Sequence, residues 1–440
     1  MEVIVLFKSM FDQRASDGFF PRMRFLGGAV LAAVFLLAFL SIQNQSYFGD
    51  EGFHFEQLRR FHVGEYGADY QLTMLPGYHV VLGLLSAITG LHSLNFYRLL
   101  NIAFSLLSVE VFRRVLLILH PRAGAGRVVQ YAFLPILFPY FLFLYTDAFS
   151  LLVTLVSFWM LLRRRYALSG FAGIASMAVR QNNVLWLFFL FLSFLWIERP
   201  GFAREISRRL RSERVKEFLS AHRSRIGAWM LVNATTVFAI GFALFAAFVV
   251  WNGGVAIGDK DSHPFPSFHA GNIFFCLFLA FFLFLPLHVA NARTIVQRLR
   301  MSRLLLPMLV VLFLVYMLTF MNDHWYNQGL DSVYMRNRIL AYFTSSSSLK
   351  MLFFVPVGVS FLSFAVTPLV QPFGALLAPV SIIYLIPSWL IEQRYYFIPF
   401  TLFLLLRGER SARFENLSAI YSVLCALLLF IPVSLRWFFL

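Results

Sequence analysis

The stretch that decides the fold is FLGGAVLAAVFLLAFLSI, residues Phe25 to Ile42, which holds no charged side chain. Lipid offers no hydrogen-bond partner to backbone N–H and C=O groups, so an apolar run of about 17 to 25 residues is stable there only as a helix. Shortly after it comes GDEGFH, residues Gly49 to His54, with two carboxylates and a histidine. Together these stretches predict a membrane helix that ends beside a group of titratable side chains.

The rest of the chain repeats this apolar pattern. Of its 440 residues, 60% are hydrophobic, 13% are charged and 54 are Phe, which excludes a soluble globular domain. We predict an all-α polytopic membrane protein with about thirteen membrane segments, which form a single integral-membrane domain over residues 1–440. The segments after the first are Phe96 to Leu117, Val128 to Tyr145, Ala148 to Leu162, a hairpin within Gly170 to Ile197, Ala228 to Trp251, Asn272 to Ala290, Leu304 to Met321, Met351 to Pro368, Phe373 to Leu390, Phe397 to Leu406 and Leu417 to Leu435.

The net charge of +16 comes mainly from Arg and Lys in short connecting loops. Basic loops of this kind set membrane topology by the positive-inside rule, so we predict no nucleic-acid partner. Four basic residues precede the first segment, namely Lys8, Arg14, Arg22 and Arg24. They predict a cytoplasmic N-terminus, and Asp50 then lies on the opposite, outer side.

Two longer loops follow from this topology. Residues 43–95 are predicted to form the first outer loop, luminal or periplasmic, with an interfacial helix at Leu75 to Leu91 after a Pro-Gly break. Counting that stretch as a span would put the arginines that follow Phe96 to Leu117 on the outer side. Residues 198–227 are predicted to form a basic cytoplasmic loop.

One arginine lies inside an apolar region. The segment Gly170 to Ile197 has to begin and end on the cytoplasmic side, which two short helices with Arg180 at their apex would satisfy. An arginine at membrane depth costs roughly 2.5 to 3.5 kcal/mol and usually faces a polar cavity. Arg180 is therefore a candidate functional residue.

The predicted outer loops mix acids, histidines and single arginines, whereas the cytoplasmic loops are basic. They hold Asp50, Glu51, His54, Asp147, Arg180, Asp259, Asp261, His263, His269, Asp323, His324, Asp331, Arg336, Arg338, Glu392 and Arg394. Distant segments that deliver titratable groups to one face are what an active site requires. Plainer readings stay open, since the acids could be solvated helix ends and His54 a packed histidine. No helical i, i+4 pair supports a metal site at His263 and His269, and we predict no metal.

Five motifs, in chain order, resemble the dolichyl-phosphate-glucose-dependent α-1,2-glucosyltransferases, which add the terminal glucose to the lipid-linked oligosaccharide of asparagine-linked glycosylation. The motifs are Asp50-Glu51-Gly52-Phe53-His54 with Gln57 and Thr73-Met74-Leu75-Pro76-Gly77-Tyr78; Tyr145-Thr146-Asp147; Val179-Arg180-Gln181-Asn182-Asn183 with Trp186; Gly258-Asp259-Lys260 with His263 and His269; and Glu392-Gln393-Arg394-Tyr395-Tyr396. They extend over most of the chain.

The resemblance implies a multispanning glycosyltransferase of the GT-C fold. In-line displacement at the donor sugar would make it an inverting enzyme, and we predict no cofactor. Its donor would be a polyprenyl (dolichyl) phosphate glucose and its acceptor a lipid-linked oligosaccharide, joined in an α-1,2 linkage among membrane lipids. It would be a multi-pass protein of the endoplasmic reticulum membrane in a eukaryote, or of the inner membrane in a bacterium. The active site would face the lumen or periplasm.

The chemistry of such a transfer assigns roles to the candidate residues. A carboxylate just outside the first span can act as general base, which predicts this role for Asp50, with Glu51 orienting substrate or serving as the base instead. The phosphate leaving group needs cationic donors, and the candidates are Arg180, His324, Arg336 and Arg394. The predicted contacts to the acceptor or donor sugar are His54, Asp147, Asp259, His263 and His269.

Two alternatives stay open at this stage. Polar residues within spans also line transporters, so a flippase or carrier of lipid-linked sugars would fit, although the sequence shows no inverted repeat. A transferase for another polyprenyl-phosphate sugar or another glycolipid acceptor would use the same residue types.

Overall fold

A computed structural model describes residues 20–198, 235–264 and 267–440. Within these ranges the regular structure is helical, apart from two isolated β-bridges. This confirms the predicted all-α class. The predicted basic loop at 198–227 lies outside the described residues except for Glu198.

Most of residues 20–198 are helical. The α-helices there are α1 (Phe20–Ile42), α2 (Glu51–His62), α3 (Gly77–Thr89), α4 (Leu94–Leu119), α5 (Gly126–Ala132), α6 (Thr146–Leu162), α7 (Tyr166–Val179) and α8 (Val184–Glu198). The later ones are α9 (Thr235–Asn252), α10 (Gly271–Leu283), α11 (Leu285–Met301), α12 (Leu305–Thr319), α13 (Met335–Thr344), α14 (Ser347–Val366), α15 (Leu377–Leu385), α16 (Phe397–Leu406) and α17 (Ala412–Ser434). Short 3-10 helices lie at Pro139–Phe141, Gln181–Asn183, Trp325–Asn327, Pro372–Leu376 and Gln393–Tyr396.

Four helical stretches of the described chain are long and apolar enough to cross a membrane. They are Gln181–Glu198, α9, α14 and α17. The pair α10 and α11 would make a fifth, but it is bent by 97° between Leu283 and Leu285. Pro286 lies at this bend, and proline cannot donate the backbone hydrogen bond that would continue the helix. The membrane segment predicted from Asn272 to Ala290 therefore falls on a bent pair of helices.

Several predicted segments coincide with helices. The two helices predicted on either side of Arg180 are present as α7 and α8, separated by the 3-10 turn Gln181–Asn183. That both outer ends lie on the cytoplasmic side stays a prediction. The helix predicted at Leu75 to Leu91 is present as α3, which follows Pro76 and ends before Gly90 in the left-handed region, at φ +71°. Gly77 lets α3 approach α7, because a Cβ there would lie 2.5 Å from the Ala178 carbonyl oxygen. The interfacial position of α3 stays a prediction.

The segment Val128 to Tyr145, predicted as one span, is instead a short helix followed by a buried coil. The helix ends at Ala132, and two prolines follow, Pro135 and Pro139. The chain beyond Ala132 is nearly inaccessible to solvent and lies in the main aromatic core. A buried coil needs partners for its backbone carbonyls, and the Asn101 amide donates to those of Tyr140 (3.0 Å) and Phe143 (2.7 Å). This coil delivers Tyr140 and Tyr145 to the candidate site.

Candidate active site

A cavity of about 730 Å³ lies where several helix ends and connecting segments meet. Seven of the predicted site residues line it: Asp50, His54, Arg180, Asp259, His263, Arg336 and Arg394. They come from five separate stretches of the chain, so the fold does bring distant titratable groups together. Glu51, Asp147, His269 and His324 are not among the lining residues.

Asp50 is held at the cavity wall by its backbone. Its N–H donates to the Tyr145 hydroxyl (2.7 Å), and that hydroxyl donates to the Phe48 carbonyl (3.0 Å). The Asp50 side chain is 36% exposed, and one carboxylate oxygen lies 2.9 Å from a guanidinium nitrogen of Arg394. A carboxylate that is both accessible and fixed in direction can accept a proton from a bound molecule.

Gly49 makes this arrangement possible. Its φ is +52°, in the left-handed region, and a Cβ at this position would lie 2.5 Å from the Tyr145 hydroxyl and 2.8 Å from the Phe439 ring. A side chain here would therefore displace the tyrosine that fixes the Asp50 backbone. The glycine of the GDEGFH motif is a requirement of the site geometry.

Glu51, the neighbouring carboxylate, faces the protein interior. It is fully buried, and its two oxygens accept from Arg98 at 3.0 and 2.6 Å. They also accept the backbone N–H groups of Phe48 (2.8 Å) and Leu144 (2.7 Å). These contacts join the Asp50 loop, α4 and the buried coil. The structure thus gives the two adjacent acids different environments.

Two of the cavity arginines share one buried acid. Glu392 forms a close ion pair with Arg336 and lies 3.5 Å from Arg394. Burial alone would raise the pKa of Glu392, but the two guanidinium groups lower it below its ordinary value. Burial opposes the charge on Arg394, yet Glu392 and Asp50 hold its pKa well above the ordinary value. This cluster is charged, with both arginines presented to the cavity.

Arg180, the arginine at the hairpin apex, is paired with Asp147 at the start of α6. The Asp147 side chain is 1% exposed, so it lies behind Arg180 and not at the cavity surface. Its second carboxylate oxygen is buried and has no hydrogen-bond partner among the described residues. Asp147 therefore orients Arg180, which is the residue that faces the cavity.

His54 is coupled to a second buried histidine that sequence reasoning did not select. His54 Nδ1 lies 3.0 Å from His79 Nε2, and both rings are almost completely buried. Burial, then His79 and the nearby arginines Arg394 and Arg180, lower the pKa of His54 well below its ordinary value. His54 is consequently neutral at pH 7. No motif indicated His79, because it lies in the apolar helix α3 and its partner His54 is 25 residues away.

Asp259 and His263 lie in the loop between α9 and α10. Asp259 has φ +44° and accepts from the Ser262 hydroxyl (2.7 Å) and the Tyr326 hydroxyl (3.2 Å). Burial lowers the pKa of His263 to about 4, so this ring is also neutral at pH 7. Neutral imidazole and carboxylate oxygens are suited to hydrogen bonds with sugar hydroxyls.

His324, a predicted phosphate ligand, uses both ring nitrogens within the protein. Nδ1 accepts the Tyr326 backbone N–H (3.0 Å), and Nε2 lies 3.0 Å from the Ser262 carbonyl. Since Nδ1 accepts, the ring is the neutral tautomer, and burial lowers its pKa. His324 thus joins two loops beside the cavity. His269 also lies beside it, stacked on Trp389 at 5.7 Å.

Part of the cavity lining is apolar. It includes Val184 and Leu185 of α8, Phe245 of α9, Ile383 of α15 and Pro387 beyond it. The cavity is therefore amphiphilic, because three arginines and several acids line it together with hydrocarbon side chains. This suits a ligand that has a charged head and an apolar tail.

The fold and the cavity define an all-helical protein with helices of membrane length and a charged, amphiphilic chamber assembled from loops and helix ends. The chain belongs to the DIE2/ALG10 family, which it matches over residues 44–405. This confirms the resemblance found in the five sequence motifs.

Among similar proteins are several named Dol-P-Glc:Glc(2)Man(9)GlcNAc(2)-PP-Dol alpha-1,2-glucosyltransferase. One Homo sapiens protein is 25% identical over 312 residues, which are 62% of this chain and 66% of the relative. The Mus musculus protein is 28% identical over 273 residues, 53% of this chain and 56% of the relative. The Arabidopsis thaliana protein is 23% identical over 443 residues, 83% of this chain and 87% of the relative. The chain therefore spans less than two thirds of the human and mouse relatives, and no solved structure matches it.

Proposed function

We propose that this protein is an inverting glycosyltransferase that moves glucose from a polyprenyl (dolichyl) phosphate donor to a lipid-linked oligosaccharide and forms an α-1,2 linkage. The main support is one observation: Asp50, Arg180, Arg336 and Arg394 line a single cavity that apolar side chains also line. Family membership and the names of the relatives support the sugar and the linkage.

The reaction needs a base, and Asp50 fills this role. The acceptor hydroxyl attacks the anomeric carbon of the donor on the face opposite the phosphate. The bond from that carbon to the phosphate oxygen breaks, and the phosphate leaves with the electron pair. The hydroxyl proton passes to the Asp50 carboxylate, which is accessible from the cavity. Attack from the opposite face converts a β-linked donor into an α-linked product.

Proton transfer to Asp50 also changes the environment of Arg394. The two side chains are ion-paired at 2.9 Å before the reaction. Once Asp50 is neutral, Arg394 loses that partner at the moment when negative charge develops on the departing phosphate. Arg394 then stabilises the phosphate, together with Arg180 and Arg336. The base, Asp50, and the residue that stabilises the leaving group, Arg394, are thus linked: protonation of Asp50 frees Arg394 to bind the phosphate.

The remaining candidate residues support these groups. His54, Asp259 and His263 line the cavity and bind sugar hydroxyls. The two histidines do so as neutral rings, and the Asp259 carboxylate accepts hydrogen bonds. Asp147 acts through Arg180, and Glu51 acts through the Asp50 loop.

The polyprenyl chain of the donor binds along apolar residues of the cavity lining, such as Leu185, Phe245 and Ile383. We propose a GT-C fold with about thirteen membrane segments and an active site on the luminal or periplasmic face. The apolar helices α9, α14 and α17 support a membrane location. In a eukaryote this membrane is the endoplasmic reticulum.

The experiment that tests the function is transfer from radiolabelled polyprenyl-phosphate glucose by the purified protein, with a pool of lipid-linked oligosaccharides. Polyprenyl-phosphate mannose is assayed in parallel. We expect transfer from the glucose donor only, with a product sensitive to an α-1,2-specific glucosidase. Transfer from the mannose donor would change the sugar in this proposal, and no transfer from either donor by folded protein would overturn it.

Arg394→Gln should lower kcat about ten- to hundredfold, because a hydrogen bond to a charged group contributes about 1.5 to 3 kcal/mol. The KM for the acceptor should change little, since Arg394 acts on the phosphate. The measurement is steady-state transfer with each substrate varied in turn. Arg338→Gln is the matched control, because Arg338 is exposed and does not line the cavity. Unchanged kcat in Arg394→Gln would remove this residue from the reaction.

A further inference from the structure

Three aromatic side chains form a surface at the edge of the cavity, and we name them the aromatic platform: Trp325, Tyr326 and Trp389. Trp325 and Tyr326 belong to the 3-10 helix before α13, and Trp389 follows α15. Tyr326 and Trp389 line the same cavity as Asp50. The roles assigned above to the cavity residues leave this platform unused.

The rings of the platform are fixed against one another. Trp325 and Trp389 meet edge to face, with centroids 5.0 Å apart and planes at 85°. His324 meets the Trp389 ring edge on at 4.6 Å, and His269 stacks parallel to it at 5.7 Å. Rigid aromatic rings contribute contact area to a ligand with little loss of conformational entropy.

His324 connects the platform to the loop between α9 and α10. Its Nδ1 accepts the backbone N–H of Tyr326, and its Nε2 donates to the carbonyl of Ser262 (both 3.0 Å). Ser262 in turn donates to Asp259 on the cavity wall. The platform is thereby tied to the cavity.

The platform combines open ring surface with carboxylates at its edge. Trp325 is 48% exposed and Tyr326 49% exposed. The Trp389 indole N–H donates to Asp323 (2.9 Å), and the Tyr326 hydroxyl donates to Asp259 (3.2 Å). A pyranose ring has an apolar C–H face that packs on an aromatic ring and hydroxyls at its rim that donate to carboxylates. The platform therefore offers an aromatic surface for the C–H face of a sugar and carboxylates for its hydroxyls.

We propose that the aromatic platform binds pyranose rings of the acceptor glycan and so holds its terminal sugar toward Asp50. This inference rests on the proposed function, and it names the part of the cavity that recognises the acceptor. Tryptophan and tyrosine also collect at membrane surfaces. A sugar is favoured over lipid headgroups as the occupant, because carboxylates accept hydrogen bonds from the platform and because the platform continues into the cavity.

The test is direct binding, which does not depend on catalysis. The probe is the lipid-free glycan Glc(2)Man(9)GlcNAc(2), named in the relatives' acceptor, and the measurement is saturation-transfer NMR on the purified full chain. We expect transfer of saturation to ring C–H protons of the glycan. In Trp325→Ala the signal should fall and the dissociation constant rise about tenfold, with partial recovery in Trp325→Phe.

Trp251→Ala is the control, because Trp251 is 85% exposed and does not line the cavity. Equal binding by wild type and folded Trp325→Ala would overturn the platform, and so would no binding by wild type. A variant that fails to fold is replaced by Tyr326→Ala, judged by the same two outcomes. Absence of sugar transfer with binding retained would contradict the proposed function while leaving the platform supported.

Discussion

Asp50→Asn should leave a folded, donor-binding protein whose rate of sugar transfer is about 10² to 10⁴ times lower, the usual contribution of a general base. The asparagine amide has nearly the shape of the carboxylate, and its oxygen can still accept from Arg394. It cannot take up the proton of the acceptor hydroxyl. The backbone contact of Asp50 with Tyr145 is unaffected by the substitution. The measurement is single-turnover transfer with saturating donor and acceptor.

Asp261→Asn is the matched control, because Asp261 is an exposed acid in a neighbouring loop and does not line the cavity. Its transfer rate should equal that of the wild type. A rate for Asp50→Asn within about threefold of wild type would assign the base to another residue, and Asp259 would be tested next because it also lines the cavity.

The features that could be predicted from the sequence are those set by local patterns. Apolar runs gave α4, α6 and α16 close to their observed limits, because lipid or a large apolar core leaves a long apolar run only the helical solution. Arg180 could be found for a related reason, since a lone charge within apolar sequence needs a polar environment.

Contacts between distant segments could not be predicted. The coil before α6 is as apolar as a span, and only its packing against Asn101 shows where its backbone carbonyls find partners. His79 and Arg98 lie in apolar helices, and their partners are 25 and 47 residues away. Composition alone could not connect these pairs.

The choice between Asp50 and Glu51 as the base is the clearest case that the sequence cannot decide. Adjacent residues at the start of a helix point in directions about 100° apart, so one faces the cavity and the other the core. The sequence holds two equivalent acids in GDEGFH, and nothing local tells them apart. Arg98, in α4, is what separates them, because it pairs with Glu51 alone.

Glu51→Gln should therefore destabilise the fold by about 3 to 5 kcal/mol, the usual cost of breaking a buried ion pair by removing one partner. Arg98 would remain buried, facing a neutral amide, and one of the N–H groups of Phe48 and Leu144 would meet an amide N–H₂ group instead of an oxygen. Thermal unfolding of the purified variant, followed by intrinsic fluorescence, measures this loss.

The double variant Glu51→Gln, Arg98→Met distinguishes the cost of leaving the Arg98 charge unpaired from the cost of losing hydrogen bonds. Removing Arg98 removes the uncompensated charge, so the double variant should recover part of the stability that Glu51→Gln loses. Recovery should be incomplete, because Arg98 also donates to the carbonyls of Ile42 (3.0 Å) and Ser46 (3.1 Å). At a temperature where Glu51→Gln is folded, its transfer rate should be much closer to wild type than that of Asp50→Asn. A stable but inactive Glu51→Gln protein would contradict this division, because it would show that the buried acid takes part in the reaction itself.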